Sequence, residues 1–212
     1  SELKVHSDTV LDFRLLPGRS EFVCSSSDTS ASLHSFKKTT STKRLSYMKD
    51  FAFDKFKGMC FSEDSKSIYI LNSDLSIFKL KAQTGKQTAV HFISQDISHE
   101  KLVHFSQLED KNKFVAVMES GRIYKLDTVS LNIEITTAFP VHSKLSLKTA
   151  AVSPDKNHLV LLDSDGKLVL LNDANKRFEL LADQQFLKCC WLSSNTLLLV
   201  DKANNIYEYS LA

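Results

Sequence analysis

A chain of 212 residues that is 42% hydrophobic and 25% charged can bury a real core and matches an average soluble globular protein, which excludes wholesale disorder and a fibrous repeat. Its net charge of +2 is too small to indicate nucleic-acid binding by itself, because a phosphate-gripping surface shows as a clustered basic excess. No apolar run approaches the ~18 residues of a membrane helix and no charged-then-apolar leader opens the chain, so the sequence reads as soluble, and four cysteines without a pairing pattern read as intracellular.

In chain order, "ELKVH" at residues 2–6 reads as an outer strand without a sheet of its own. "FRLLPGRSEFVCSSSDTSASLHSF" from Phe13 then gives three short apolar runs separated by Ser/Asp turns. The same design recurs in "FSEDSKSIYILNSDLSIFKL" (61–80), "FSQLEDKNKFVAVMESGRIYKL" from Phe105, "VSPDKNHLVLLDSDGKLVLL" (152–171) and "WLSSNTLLLVDKANNIYEYSL" from Trp191. The second and fourth copies align without a gap, matching Ser62 with Ser153, Asp64 with Asp155, Leu71 with Leu162, Asp74 with Asp165 and Leu80 with Leu171. Runs of this length suit strands, and "IYIL", "FVAV" and "LVLL" are apolar throughout, as strands covered on both faces are. "KRLSYM", "QTAVHFI", "LNIEITTAF" and "RFELLA" follow as more polar outer strands. The units open near residues 9, 56, 101, 147 and 186, and a period of roughly 40–48 residues is that of a four-stranded propeller blade. The expected fold is therefore all-β, a β-propeller with about five four-stranded blades in one domain or partial propeller over residues 1–212. Residues 2–6 would complete the last blade if five blades close a ring; the alternative, preferred here, is five consecutive blades of a seven-bladed ring.

With only five Gly and three Pro, the turns must be built by Ser, Asn and Asp. Gly121, Gly166 and Asn204-Asn205 stand where tight hairpins need positive φ. Asp28, Asp74 and Asp165 fall in the second turn of their units; metal ligation is one use, but capping of their own hairpins is the expected one. The histidines have no adjacent nucleophile, and His6 and His142 sit just ahead of a unit, where a propeller histidine bonds a turn aspartate. Cys24, Cys60, Cys189 and Cys190 lack metal-ligand spacing and read as reduced core thiols, and Trp191 also reads as core. No phosphate loop, metalloprotease or nucleophile-elbow motif occurs, so no catalytic residue, cofactor, metal or small-molecule substrate is expected. The basic residues Lys37, Lys38, Lys43 and Arg44 in "KKTTSTKR", between a third and a fourth strand, and Lys55 and Lys57 in "KFKGM", are the candidate contacts for RNA or a partner; a solvated loop is the rival reading.

The period and strand pattern resemble the WD40-like β-propellers, although no third strand ends in Trp-Asp and no Gly-His pair opens a unit. The runs "SASLHSFKKTTSTKRLSYMKDFAFDKFKGMCFSEDSKSIYIL", "YKLDTVSLNIEITTAFPVHS" and "AVSPDKNHLVLLDSDGKLVLLN" resemble, in order, the C-terminal propeller of the cirhin family, subunits of the small-subunit processome in the UtpA group. That resemblance implies a non-enzymatic scaffold of ribosome biogenesis and pre-rRNA processing in the nucleolus, bound to other protein subunits and close to pre-ribosomal RNA, and a chain that is part of a longer protein. It carries over no catalytic residue. The alternative of another class is a peptide-reading WD40 adaptor in a ubiquitin-ligase or chromatin complex, which would need an aromatic or Arg-lined axial pocket.

Overall fold

The computed structural model describes residues 7, 9–15, 20–26, 31–35, 43–45, 56–64, 66–82, 86–91, 95–138, 146–172, 177–182 and 185–211, and every regular element among them is a β-strand. The chain divides into two compact units, Ser1–Ser98 and His99–Ala212. The first holds two sheets: β1 (Val10–Leu15), β2 (Glu21–Ser26), β3 (Ala31–Ser35) and β4 (Lys43–Leu45), then β5 (Phe56–Phe61), β6 (Ser67–Asn72), β7 (Ile77–Lys81) and β8 (Gln87–His91). The second holds three: β9 (Leu102–Gln107) to β12 (Ile133–Thr137) through β10 (Lys113–Met118) and β11 (Arg122–Asp127); β13 (Leu147–Val152) to β16 (Arg177–Ala182) through β14 (His158–Asp163) and β15 (Leu168–Asn172); and β17 (Phe186–Ser193), β18 (Thr196–Asp201) and β19 (Ile206–Ser210). Each strand pairs antiparallel with the next in sequence, so all five sheets are simple meanders. The expected five units are present, four with four strands and the last with three among the described residues. Residues 2–6, expected to complete the last, lie outside the described residues.

The unbroken apolar runs are the second strands of their sheets. β6, β10 and β14 are each buried in five consecutive residues after the first. Alternate side chains of a strand point to opposite faces, so burial of every residue requires a neighbour on each side. β14 has both. Leu159 and Leu161 pack with Val115, Val117, Ile123, Leu147 and Ala150, while Val160 and Leu162 pack with Leu168, Phe186, Leu197 and Leu199. Each such side chain contributes about 1.5–3 kcal/mol by leaving water, so the seams between sheets, rather than any single sheet, hold the second unit together.

The Ser and Asp shared by the second and fourth units build the first turn of each. Ser62 Oγ donates to Asp64 Oδ1 at 2.7 Å and accepts from the Ser67 amide at 2.9 Å, and the Lys66 amide donates to Asp64 Oδ1 at 3.1 Å. The fourth unit repeats this: Ser153 Oγ donates to Asp155, and the His158 amide donates to Ser153 Oγ at 2.9 Å. Hydrogen bonds received from Ser62 and Ser153 hold both carboxyls below the usual Asp value of 3.8. At the second turn Gly121 (φ 85°), Gly166 (φ 87°) and Asn204 (φ 65°) take the left-handed backbone their sequence suggests. Leu75 (φ 57°) does so in the second unit, at the position Gly166 holds in the fourth, and is completely buried.

Candidate interaction surface

Lys37, Lys38 and Lys55 lie outside the described residues. Lys43 and Arg44 open β4, paired with Leu33 and Ser32 of β3, so the outer strand expected at "KRLSYM" is present and the last two residues of "KKTTSTKR" belong to it and not to the loop before it. Side-chain hydroxyls do not stop a chain from completing a ladder when its backbone groups meet a free edge. Lys57 is in β5, half-buried, with Nζ donating to the Ser98 carbonyl at 2.8 Å. It therefore ties β5 to the stretch that follows its own sheet.

The turn acids act on their own hairpins. Asp74 Oδ1 accepts from the Ser76 amide (3.0 Å) and hydroxyl (2.6 Å). In the fourth unit the capping residue is Asp163, not Asp165. Asp163 Oδ1 accepts from the amides of Asp165 (2.9 Å) and Lys167 (2.8 Å), while Asp165 itself is exposed. The displacement by two residues follows from geometry: an Asx turn bonds amides two and four positions ahead, so the useful carboxylate stands at the end of the strand. Asp201 occupies the same place in the fifth unit, accepting from the amides of Ala203 and Asn205 at 2.8 and 2.9 Å and from Tyr207 Oη at 2.9 Å. Its side-chain bond with Asn205 first, then those amides and Tyr207, outweigh burial and lower its carboxyl. Asp28 lies outside the described residues, and no three His, Cys, Asp or Glu side chains among the described residues are grouped to hold a metal.

The third unit carries a polar network that no motif in the sequence marks. Glu100 is buried just ahead of β9; Tyr124 Oη donates to its Oε1 at 2.6 Å, Arg122 Nη1 to the same oxygen at 3.1 Å and Ser120 Oγ to Oε2 at 2.7 Å. Burial pushes the Glu100 carboxyl up, but the bonds from Tyr124, Ser120 and Arg122 outweigh it and the net direction is down. Burial, then the bond to Glu100, pushes the Tyr124 phenol up to about 12. Glu100 does the turn-clasping work expected of His6 and His142, both of which lie outside the described residues. The available signal was position: Glu100 precedes its unit as those histidines precede theirs.

Trp191 is half-buried at the seam of the fourth and fifth sheets, its Nε1 donating to the Ala151 carbonyl at 3.0 Å and its ring 6.0 Å from that of His158. Cys24 and Cys60 are buried and Cys189 is half-buried, with burial and then neighbouring Cys190 pushing its thiol up to about 12. Cys190 departs from the expected core placement. It is exposed, because the residue after an inward Cys189 on a strand must point the other way. Three of the exposed apolar side chains fall on the outer hairpin of the third sheet, Val129 (71%), Leu131 (51%) and Ile135 (48%), the others being on the first and fifth sheets.

The family model of the ELP1 first N-terminal β-propeller matches residues 31–198, most of the chain. The chain belongs to that family. A solved propeller, the Cps50 (Swd1) β-propeller domain of Myceliophteria thermophila, is similar with a TM-score of 0.70 at 11% identity, over 98% of this chain and 72% of that one. At that identity the likeness shows the fold alone, and matches to 1565 chains of known structure mark that fold as one shared by many proteins. No curated protein matches the chain. The five meander sheets are thus blades of a β-propeller.

Proposed function

We propose that this propeller is a non-catalytic scaffold that holds protein subunits, and RNA through its basic segment, in a large intracellular assembly. The observation that carries this reading is the use made of its polar groups: Asp74, Asp163, Asp201 and Glu100 each serve the turns or strands of their own blade. What the blades offer outward is edge strands and loops on a firm frame, where recognition resides. The assembly we assign is the small-subunit processome, in pre-rRNA processing in the nucleolus. Support for that assignment is the ordered likeness of residues 30–71, 124–143 and 151–172 to the C-terminal propeller of cirhin. Lys37, Lys38, Lys43, Arg44, Lys55 and Lys57 are the proposed contact positions. Affinity purification of the full-length tagged protein, with and without RNase, tests this: pre-ribosomal factors retained after RNase are expected, whereas retention of ligase or chromatin subunits instead would overturn the assignment.

A further inference from the structure

The outer strand of the third blade differs from its counterparts in how it ends the sheet. The ladder β7–β8 is broken by a register shift at Lys79/Leu80 and β15–β16 by one at Leu168/Val169. Bulges and short edges are devices that keep a sheet from pairing with another chain. β11–β12 has neither: it runs in unbroken register from Arg122↔Thr137 to Leu126↔Ile133. Nor is it guarded by Lys or Pro, since its sequence is Ile-Glu-Ile-Thr-Thr.

The hydrogen-bond phase of this edge is determined. The Asp127 amide donates to the Asn132 carbonyl and the Ala138 amide to the Gly121 carbonyl, at 3.0 and 2.8 Å. In an antiparallel pair bonded and non-bonded residues alternate, so Glu134 and Thr136 also face β11 with their backbones. The amides and carbonyls of Ile133, Ile135 and Thr137 therefore point away from the sheet, and no other described strand pairs with β12. Ile135 is exposed beside them, with Leu131 and Val129 on the adjoining turn.

We propose that the free edge of β12 is a docking site for one extended segment of a partner protein, which adds a fifth strand to the third blade. A strand is the occupant because only extended backbone presents donors and acceptors at the spacing of alternate residues. Its side chains follow from those opposite: apolar against Ile133 and Ile135, and hydrophilic at the alternate positions, which lie on the other face of the strand with exposed Glu134. The proposal rests on the scaffold reading and specifies one of its contacts.

The test is residue-resolved amide exchange on the protein with a short acetylated peptide alternating Val and Lys, against a same-composition peptide with its lysines grouped at one end. Slowing at Ile133, Ile135 and Thr137 of about tenfold is expected when the free alternating peptide is at about ten times its dissociation constant. Ile135→Pro removes only an outward amide and should abolish the effect while leaving the β11 ladder and the melting temperature in place; Ile135→Lys should weaken it with the fold equally intact. Equal protection by the grouped peptide, or no protection at these amides, overturns the proposal. If partners still co-purify after such a failure, the scaffold reading survives and only this docking site is lost.

Discussion

Glu100 is the residue on which electrostatics and architecture meet. Its two oxygens accept from Ser120, Arg122 and Tyr124, joining the approach to β9 to the β10–β11 turn and to β11 itself. Glu100→Gln keeps the shape but replaces a charged acceptor by a neutral amide, and should cost about 1–3 kcal/mol. The pH dependence has a definite sign. Because the folded-state pKa is depressed, the contribution is fully present above the ordinary Glu value of 4.5 and is lost as pH falls through the lowered folded value. Melting curves of both proteins should therefore differ most near neutrality and converge in acid; a gap that is the same at all pH values would assign the effect to packing alone. Asp64, Asp127, Asp155 and Asp201 are lowered as well, so only the difference between the two proteins isolates Glu100.

At the level of elements, Gly166 joins two blades. Its carbonyl accepts from the Phe186 amide at 2.6 Å, and a Cβ placed on it would stand 2.7 Å from the Phe186 carbonyl oxygen and 2.9 Å from the Phe186 nitrogen, both backbone atoms that cannot swing aside. Gly166→Ala adds that collision to a disfavoured φ of 87° and should destabilise by about 2 kcal/mol or more, read from denaturant midpoints at unchanged slope. The basic segment makes a prediction of another kind. Reversing Lys37, Lys38, Lys43 and Arg44 to Glu should lower RNA affinity by tenfold or more, on the order expected for several lost phosphate contacts, and flatten its salt dependence without shifting the melt; an unchanged affinity would make this a solvated surface. The strands were legible because buried runs such as "LVLL" and "FVAV" and their spacing follow directly from two-sided burial. Gly121, Gly166 and Asn204 were legible because positive φ selects their residue types. Leu75 was not, because its left-handed backbone is maintained by complete burial of a side chain whose identity argues against it. Asp163 was hidden by neighbouring Asp165, since both are turn formers and only the bond geometry separates them. Glu100 was hidden because its partners lie about twenty residues away, beyond any local motif.

At the scale of the molecule, the propeller presents the same unit repeatedly and differentiates the copies at their outer strands and turns. The first and second blades follow one another in the first unit, and the third to fifth in the second, where apolar seams join successive sheets. Repetition of this kind produces a stiff frame from residues that individually have little chemistry, and places the distinguishing features, basic at Lys43 and Arg44 and apolar at Leu131 and Ile135, on different blades. The proposed role is a frame for several contacts and not one concave substrate site. The most direct measurement of this central claim is sedimentation of the tagged full-length protein from cell extract through a sucrose gradient, before and after RNase. A scaffold migrates with a particle far larger than itself and stays with other subunits after the RNA is removed; migration as a free monomer in both conditions would contradict it.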